Sequence, residues 1–369
     1  RGGCIFNDAT ASGKWTTGHH GRRMIWDATF MMIRDHPVFG IGFGNFLSRY
    51  CGYQGAVYVK LEMPRDVPTV GLADHTHNEY LEQIAETGVF GALAMLWFLC
   101  VGVRLIAQSL RKGDGGELAA ALSLTVLGTH SLVSYPLHIP STALLGVFML
   151  LTISRRRSRP LAPLRLSGRA TRLLLITPIY LIIAFILMSY SVRVTGNILL
   201  KRGFELYRRA VEYERLYPVR YSSIETINEN ELKVRVSENS RRYLAALHQL
   251  NRAVAYNYRD FQAHAAYADC LRNLGWILSQ GGHIERAHSF QRTAIEEYET
   301  AALFCENPVF LYSAASIRSR IFGELDEAIA LVQRCTELNP FYAGYRDYLN
   351  ELLEQRSRIS PENAIKAIE

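Results

Sequence analysis

The sequence lacks the short motifs of several common protein classes. Its six cysteines include no Cys-x-x-Cys spacing, which argues against a zinc or dithiol site. It also has no Asp-x-Asp pair of the kind that marks a metal site for nucleotide sugars, so we expect no metal and no cofactor. The glycine-rich run 39–46 lacks the spacing and the preceding strand of a dinucleotide-binding loop. Cys4 and Cys51 could pair in an oxidising compartment or remain unpaired apolar residues.

The excess of positive charge, +7, does not form a single basic patch. No nucleic-acid-binding motif accompanies it, and we expect no nucleic-acid partner. Seven arginines fall in one connection between apolar segments: Arg155, Arg156, Arg157, Arg159, Arg165, Arg169 and Arg172. Such a connection is typical of a cytoplasmic loop in a membrane protein.

Charge is absent altogether between Glu86 and Arg104. A bilayer requires roughly 20 apolar residues per helix, and four segments approach that length. The predicted spans are about 88–108, 117–136, 138–154 and 173–192. If the basic connections are cytoplasmic, loop 1–87 and everything after residue 192 lie on the periplasmic face.

The part before the first span is predicted to be mostly loop. Apolar residues at helical spacing predict one amphipathic helix from Gly21 to Ile33. Residues 47–74 are expected to form a loop, with Pro64 and Pro68 as breakers. Because the chain starts without Met and has no signal peptide, we expect a fragment whose earlier spans are missing.

Polar and titratable residues meet the first span in segment 75–91. Helical spacing predicts that His77 and Leu81 share one face. The carboxylates are expected on other faces: Glu79, Glu82 and Glu86. Gly88 and Gly91 allow a turn or another helix to come close.

Three separated patterns follow one another in this region. In the first, Arg22-x-x-x-Trp26 precedes His36-Pro37-x-x-Gly40-x-Gly42-x-Gly44-Asn45-Phe46. In the second, nine residues separate His77-Asn78 from Gly88-x-x-Gly91. The third is His130-Ser-Leu-Val-Ser-Tyr-Pro-Leu-His138-Ile-Pro140. Together they resemble the O-antigen ligase and polymerase family, membrane glycosyltransferases that use undecaprenyl-diphosphate-linked glycans, over residues of about 21–153.

The resemblance implies displacement of a lipid diphosphate from an anomeric carbon by an acceptor hydroxyl. By motif position His77 is the base, for which a pKa of about 6.5 is suitable. Arg22 is expected to bind the leaving diphosphate, because a guanidinium forks onto phosphate oxygens. Substrate binding is assigned to Asn78, Arg23, His75, His130, Gly88 and Gly91.

Structural roles are the alternative for these residues. His77 and Asn78 could cap the start of a helix, and His130 could bond to a neighbouring helix. A glycosidase with paired carboxylates is the competing chemistry, which an intramembrane setting disfavours.

The C-terminal part, residues 200–369, has the composition of a soluble helical domain. Asn307-Pro308 and Asn339-Pro340 recur at a 32-residue offset, near the length of about 34 of a tetratricopeptide repeat. Helix pairs are predicted around residues 265–287 and before Pro340. About three imperfect repeats would present a concave surface rich in tyrosine and arginine, either for a glycan or protein partner or for packing between helices.

The expected fold class is all-α. A multispan α-helical membrane domain, N-terminally truncated and covering residues 1–192, precedes a tetratricopeptide-like α-solenoid at 200–369. The expected function is transfer of a glycan from an undecaprenyl-diphosphate carrier to an acceptor hydroxyl, at the periplasmic face of the bacterial inner membrane. The implied partners are that donor, membrane lipids, a lipid A-core, glycan or protein acceptor, and a protein bound to the repeats. The alternatives are a polymerase or protein O-oligosaccharyltransferase of the same family, and a non-catalytic membrane-anchored repeat scaffold.

Overall fold

The all-α expectation is confirmed, since every regular element in the described ranges is a helix. The computed structural model describes residues 19–60, 73–112, 115–155, 169–219, 229–340 and 342–359. Several predicted features lie outside these ranges: the loop before residue 19, Pro64, Pro68, Cys4 with its pairing to Cys51, and most of the arginine-rich connection. The chain forms two compact units, an N-terminal unit that comprises mainly residues 8–63 and 69–172 and a C-terminal unit that comprises mainly residues 173–369.

The described residues of the N-terminal unit form five helices and one short 3₁₀ turn. They are α1 His19–Asp35, α2 Phe46–Lys60, α3 Glu79–Lys112, α4 Gly115–His130, the turn Pro136–His138 and α5 Pro140–Arg155. The helix predicted from Gly21 to Ile33 is therefore confirmed as α1.

The loop predicted at 47–74 is wrong in its first part, where α2 forms. Phe46, Tyr50 and Val57 recur at helical spacing, and all three are buried. Helix α2 packs against α1, so burial of this apolar face stabilises a segment whose glycines favour a loop.

Helix α3 contains the first predicted span. Among the described residues, one helix, Glu79–Arg111, is long and apolar enough to cross a membrane, and its most apolar stretch is not buried in the structure. Helix α4 ends at His130, before the predicted limit of residue 136, because residues 131–139 form a turn. The apolar helix at Pro140–Ile153 is shorter than a full span. The four-span topology stays a prediction.

The C-terminal unit is a succession of helices. They are α6 Arg169–Leu216, α7 Glu229–Tyr256, α8 Phe261–Gln280, α9 Ile284–Phe304, α10 Pro308–Ile317 with a π-helical turn at Arg318–Phe322, α11 Leu325–Leu338 and α12 Ala343–Ile359. Helix α6 continues without a break from the fourth predicted span into the C-terminal part. From α7 onward each helix packs against the next one along the chain.

The predicted helix pairs are present as α8 with α9 and α10 with α11. Asp260 begins α8 by accepting the N–H groups of Gln262 and Ala263, and Asn307 begins α10 by accepting that of Val309. Both Asn-Pro dipeptides therefore lie at connections between helices, where proline cannot continue the preceding helix. The assignment to tetratricopeptide repeats stays a prediction.

Candidate active site

Asn78 caps the long helix α3. Its side-chain oxygen accepts the N–H groups of Tyr80 at 3.0 Å and Leu81 at 3.1 Å. The structural role considered for Asn78 is thus present. His77 precedes the helix, so the prediction that it shares a helical face with Leu81 is wrong, because the cap ends the regular spacing at residue 79.

His77 has a left-handed backbone with φ 55°, and it is the one residue other than glycine with positive φ in the described part of the chain. Such a conformation costs of order 1–3 kcal/mol and is frequent at functional sites. The pKa of the His77 imidazole is lowered by burial, then by the positive charge of Arg22 and by His75. Its neutral form is therefore favoured near pH 7, and a neutral imidazole can accept a proton.

A hydrogen bond joins the helix that carries Arg22 to the segment that carries His77. Trp26 on α1 donates from its Nε1 to the carbonyl of Thr76 at 2.9 Å. Arg22 lies one helical turn before Trp26 and therefore on the same face of α1. The Arg-x-x-x-Trp spacing thus holds an exposed guanidinium near the histidine. Arg23 faces another direction, where its Nε lies 3.9 Å from a carboxylate oxygen of Asp27.

Glu79 and Glu82 bind two histidines. Oε1 of Glu82 lies 2.8 Å from Nδ1 of His75 and 3.3 Å from Nε2 of His138. The other Glu82 oxygen accepts the N–H of Thr76 at 2.8 Å, and Glu82 is buried. Nδ1 of His138 lies 3.1 Å from Glu79, whose hydrogen bond raises the pKa of that imidazole. We call His75, Glu79, Glu82 and His138 the histidine–glutamate network.

The turn after α4 is attached to this network. Glu79 accepts the N–H of Leu137 at 2.7 Å, and its own N–H donates to the carbonyl of Ser131 at 3.0 Å. The turn thereby presents Tyr135, whose ring centre lies 4.6 Å from that of His75 and 5.2 Å from that of His77. Sequence reasoning missed Tyr135 and His138, although both lie in the third pattern, which had pointed to His130.

His130 is not brought into this cluster. It lies exposed at the end of α4. Among the described residues, the hydrogen bonds and ring contacts of the network do not include its side chain. Its assignment to substrate binding stays a prediction.

Gly88 interrupts α3, with φ 64° and ψ −153°. At the interruption the carbonyls of Ala85 and Glu86 accept the N–H groups of Ile41 and Gly42, each at 2.9 Å, and the N–H of Val89 donates to the carbonyl of Pro37. A Cβ at Gly88 would lie 2.3 Å from the carbonyl oxygen of Val38. The predicted close approach of a backbone segment to Gly88 is confirmed, and the segment that approaches is the loop after α1.

Gly91 makes room within its own helix. A Cβ there would lie 1.6 Å from the hydroxyl oxygen of Thr87, which donates to the carbonyl of Gln83. In the described part of the chain, other protein atoms occupy the space next to Gly88 and Gly91. Their assignment to substrate binding stays a prediction.

Three residues of the network have a geometry that could hold a metal ion. The ligand atoms of His75, Glu82 and His138 lie within 4.8 Å of one another. The same distances suit a protonated His138 that donates from both ring nitrogens to carboxylates, so the geometry does not require an ion. The absence of a metal stays a prediction.

Residues 5–96 match the family model described as O-Antigen ligase. The matched range includes Arg22, the segment 75–78 and the start of α3, whereas the turn with Tyr135 and the C-terminal unit lie beyond it. No curated protein matches the chain. The family match supports a membrane glycosyltransferase of the O-antigen ligase and polymerase family, which is a bacterial inner-membrane family.

Proposed function

We propose that this chain transfers a glycan from an undecaprenyl-diphosphate carrier to an acceptor hydroxyl, with His77 as the base and Arg22 as the cation for the leaving diphosphate. The observation that carries the proposal is the position of Arg22, held near His77 by the hydrogen bond from Trp26 to Thr76. A proton acceptor and a permanent cation in one site are what this reaction requires.

The reaction forms one bond and breaks another. The acceptor oxygen bonds to the anomeric carbon, and the bond from that carbon to the diphosphate oxygen breaks, with its electron pair going to the diphosphate. The acceptor proton goes to His77, whose lowered pKa keeps it neutral beforehand. Arg22 stabilises the negative charge that develops on the diphosphate.

The remaining polar residues position these two groups. Asn78 caps the start of α3 and so fixes the backbone next to His77. His75 bonds to Glu82. We assign Asn78 and His75, with Arg23 on the exposed side of α1, to the substrate side of the site. His130, Gly88 and Gly91 line its edges in this proposal.

The acceptor is lipid A-core, a growing glycan or a protein, at the periplasmic face of the inner membrane. The C-terminal unit is periplasmic in this proposal, and its exposed tyrosines offer a surface for a polymer or protein. A polymerase or a protein O-oligosaccharyltransferase uses the same two residues with a different acceptor.

Transfer from an undecaprenyl-diphosphate-linked glycan in membranes that contain the full chain tests the proposal. We expect His77→Ala to lower transfer about 10²–10⁴-fold and Arg22→Ala about 10²–10³-fold. Arg22→Lys should recover part of the loss, because it keeps the charge without the bidentate fork.

Matched controls are Arg34→Ala, at the exposed end of α1, and His248→Ala, exposed on α7. Both should transfer like the wild type. Normal transfer by a well-expressed His77→Ala variant would remove the base assignment. A wild type that transfers no glycan across a broad set of donors and acceptors would favour the non-catalytic scaffold.

A further inference from the structure

The loop between α1 and α2 exposes large aromatic side chains. Phe39 is 77% exposed and Phe43 is 78% exposed, and Val38 beside them is also exposed. We call residues 37–43 the phenylalanine loop. Two exposed phenylalanines in one short loop are unusual on a water-facing surface and mark a site of contact with another apolar phase.

Backbone hydrogen bonds fix the phenylalanine loop at one level of α3. Ile41 and Gly42 donate to the carbonyls of Ala85 and Glu86, and Val89 donates to the carbonyl of Pro37, each at 2.9 Å. Gly40 permits this approach, because a Cβ there would lie 2.3 Å from the backbone of Glu86. The exposure of the two phenylalanines is therefore a property of a fixed loop.

The loop is continuous with the apolar surface of the candidate span. The ring of Phe39 lies 5.7 Å from that of Phe90, which is itself exposed on α3. Beyond Phe90 no charged residue occurs before Arg104. Acidic and polar groups lie on the preceding turns of α3, so the loop meets the helix where its polar part ends.

We propose that the phenylalanine loop inserts Phe39 and Phe43 into the outer interface of the lipid bilayer and so sets the depth at which the site around His77 meets the membrane. The occupant is the bilayer, because the aromatic surface continues into the lipid-facing surface of α3. The inference rests on the proposed membrane location of α3 and not on the transfer reaction.

The test is fluorescence quenching by brominated phosphatidylcholine, with the full chain reconstituted into vesicles. Trp97 is an internal reference, since it is 70% exposed on α3 and lies nine residues beyond Gly88, about 13 Å along the helix axis. In a Trp97→Phe background, Phe39→Trp and Phe43→Trp are compared separately with their parent, and Trp97→Phe is compared with the wild type.

We expect bromines at carbons 6 and 7 of the acyl chain to quench a tryptophan at 39 or 43 at least twofold more than bromines at carbons 11 and 12. The order should be reversed for Trp97. Because two positions are tested, misfolding of one variant leaves the other informative.

Quenching of Trp97 without quenching at 39 and 43 would overturn the inference and leave the membrane location of α3 intact, as expected if protein covers the loop. A loop tryptophan with the deep profile of Trp97 would also overturn it. Absence of quenching at all three positions would overturn the membrane location and the inference together.

Discussion

The two units differ most in the apolar side chains that they expose. The C-terminal unit buries large apolar and aromatic residues such as Leu250 and Tyr298, as proteins in water do. The N-terminal unit buries Glu82 and Glu86, and it exposes leucines, valines and phenylalanines along α3, α4 and α5. This difference accords with our prediction of two solvents, water around the C-terminal unit and lipid around much of the N-terminal unit.

Shortening a buried side chain in the core of the C-terminal unit should give the largest effect on stability. Leu250 is fully buried and packs against Gly203, so Leu250→Ala leaves a cavity and should lower the free energy of unfolding by about 2–5 kcal/mol. Thermal unfolding of the full chain, followed through this unit, measures the loss. The control Leu303→Ala, at a side chain that is 82% exposed, should change stability by less than about 0.5 kcal/mol.

A charge at exposed leucines compares the two solvents directly. Leu144 on α5 is 70% exposed, and Leu144→Asp should cost about 3 kcal/mol if that side chain faces lipid. The same change at Leu303 should be nearly neutral, because an aspartate in water is hydrated. Membrane insertion and expression of the full chain are measured for both variants. Equal tolerance at both positions would contradict the assignment of two solvents.

The N-terminal unit depends on close backbone approach more than on a large core. Gly88→Ala should destabilise it by about 2 kcal/mol or more, since a Cβ would add a collision with Val38 to an unfavourable positive φ. Gly44 also has positive φ but nothing within 4 Å of a Cβ, so Gly44→Ala should cost less. Detergent-based thermal unfolding of the two variants tests the difference, which disappears if the loop does not rest on α3.

The polar interiors of the two units should respond differently to pH. In the C-terminal unit, burial disfavours the charged form of His264, but Glu297 and the carbonyl of Tyr258 outweigh it and raise the pKa, so the charge stabilises the fold.

In the N-terminal unit the pKa of His77 is lowered. Transfer should therefore be flat near pH 7 and fall about tenfold per pH unit once the pH drops below the lowered pKa, beneath the ordinary value of about 6.5. A midpoint above that value would contradict the environment of His77.

Part of the site could be predicted from the sequence because its parts are close in the chain or have fixed spacing. Arg22 and Trp26 lie one turn apart, and Asn78 stands at the start of an amphipathic segment, where a cap is expected. Gly88 was expected to allow a close approach because only glycine tolerates it there.

The rest required the fold. Tyr135 and His138 reach His75 from about 60 residues away, and no local pattern reports such a distance. Helix α2 was missed because its glycines and serine weaken the helical pattern, while its stability comes from burial of Phe46 and Tyr50. The prediction that Glu82 and His77 lie on different faces of one helix is wrong, because His77 precedes the helix.

The hydrogen bond from Trp26 to Thr76 has a consequence for genetics. Neither residue is assigned to the bond-making step, yet their contact joins the helix that carries Arg22 to the segment that carries His77. A selection for cells that fail to transfer glycan should therefore recover changes at Trp26 together with changes at the two reacting residues. Unlike lesions at His77, those at Trp26 should yield second-site revertants in α1, because an altered helix position can be restored from elsewhere.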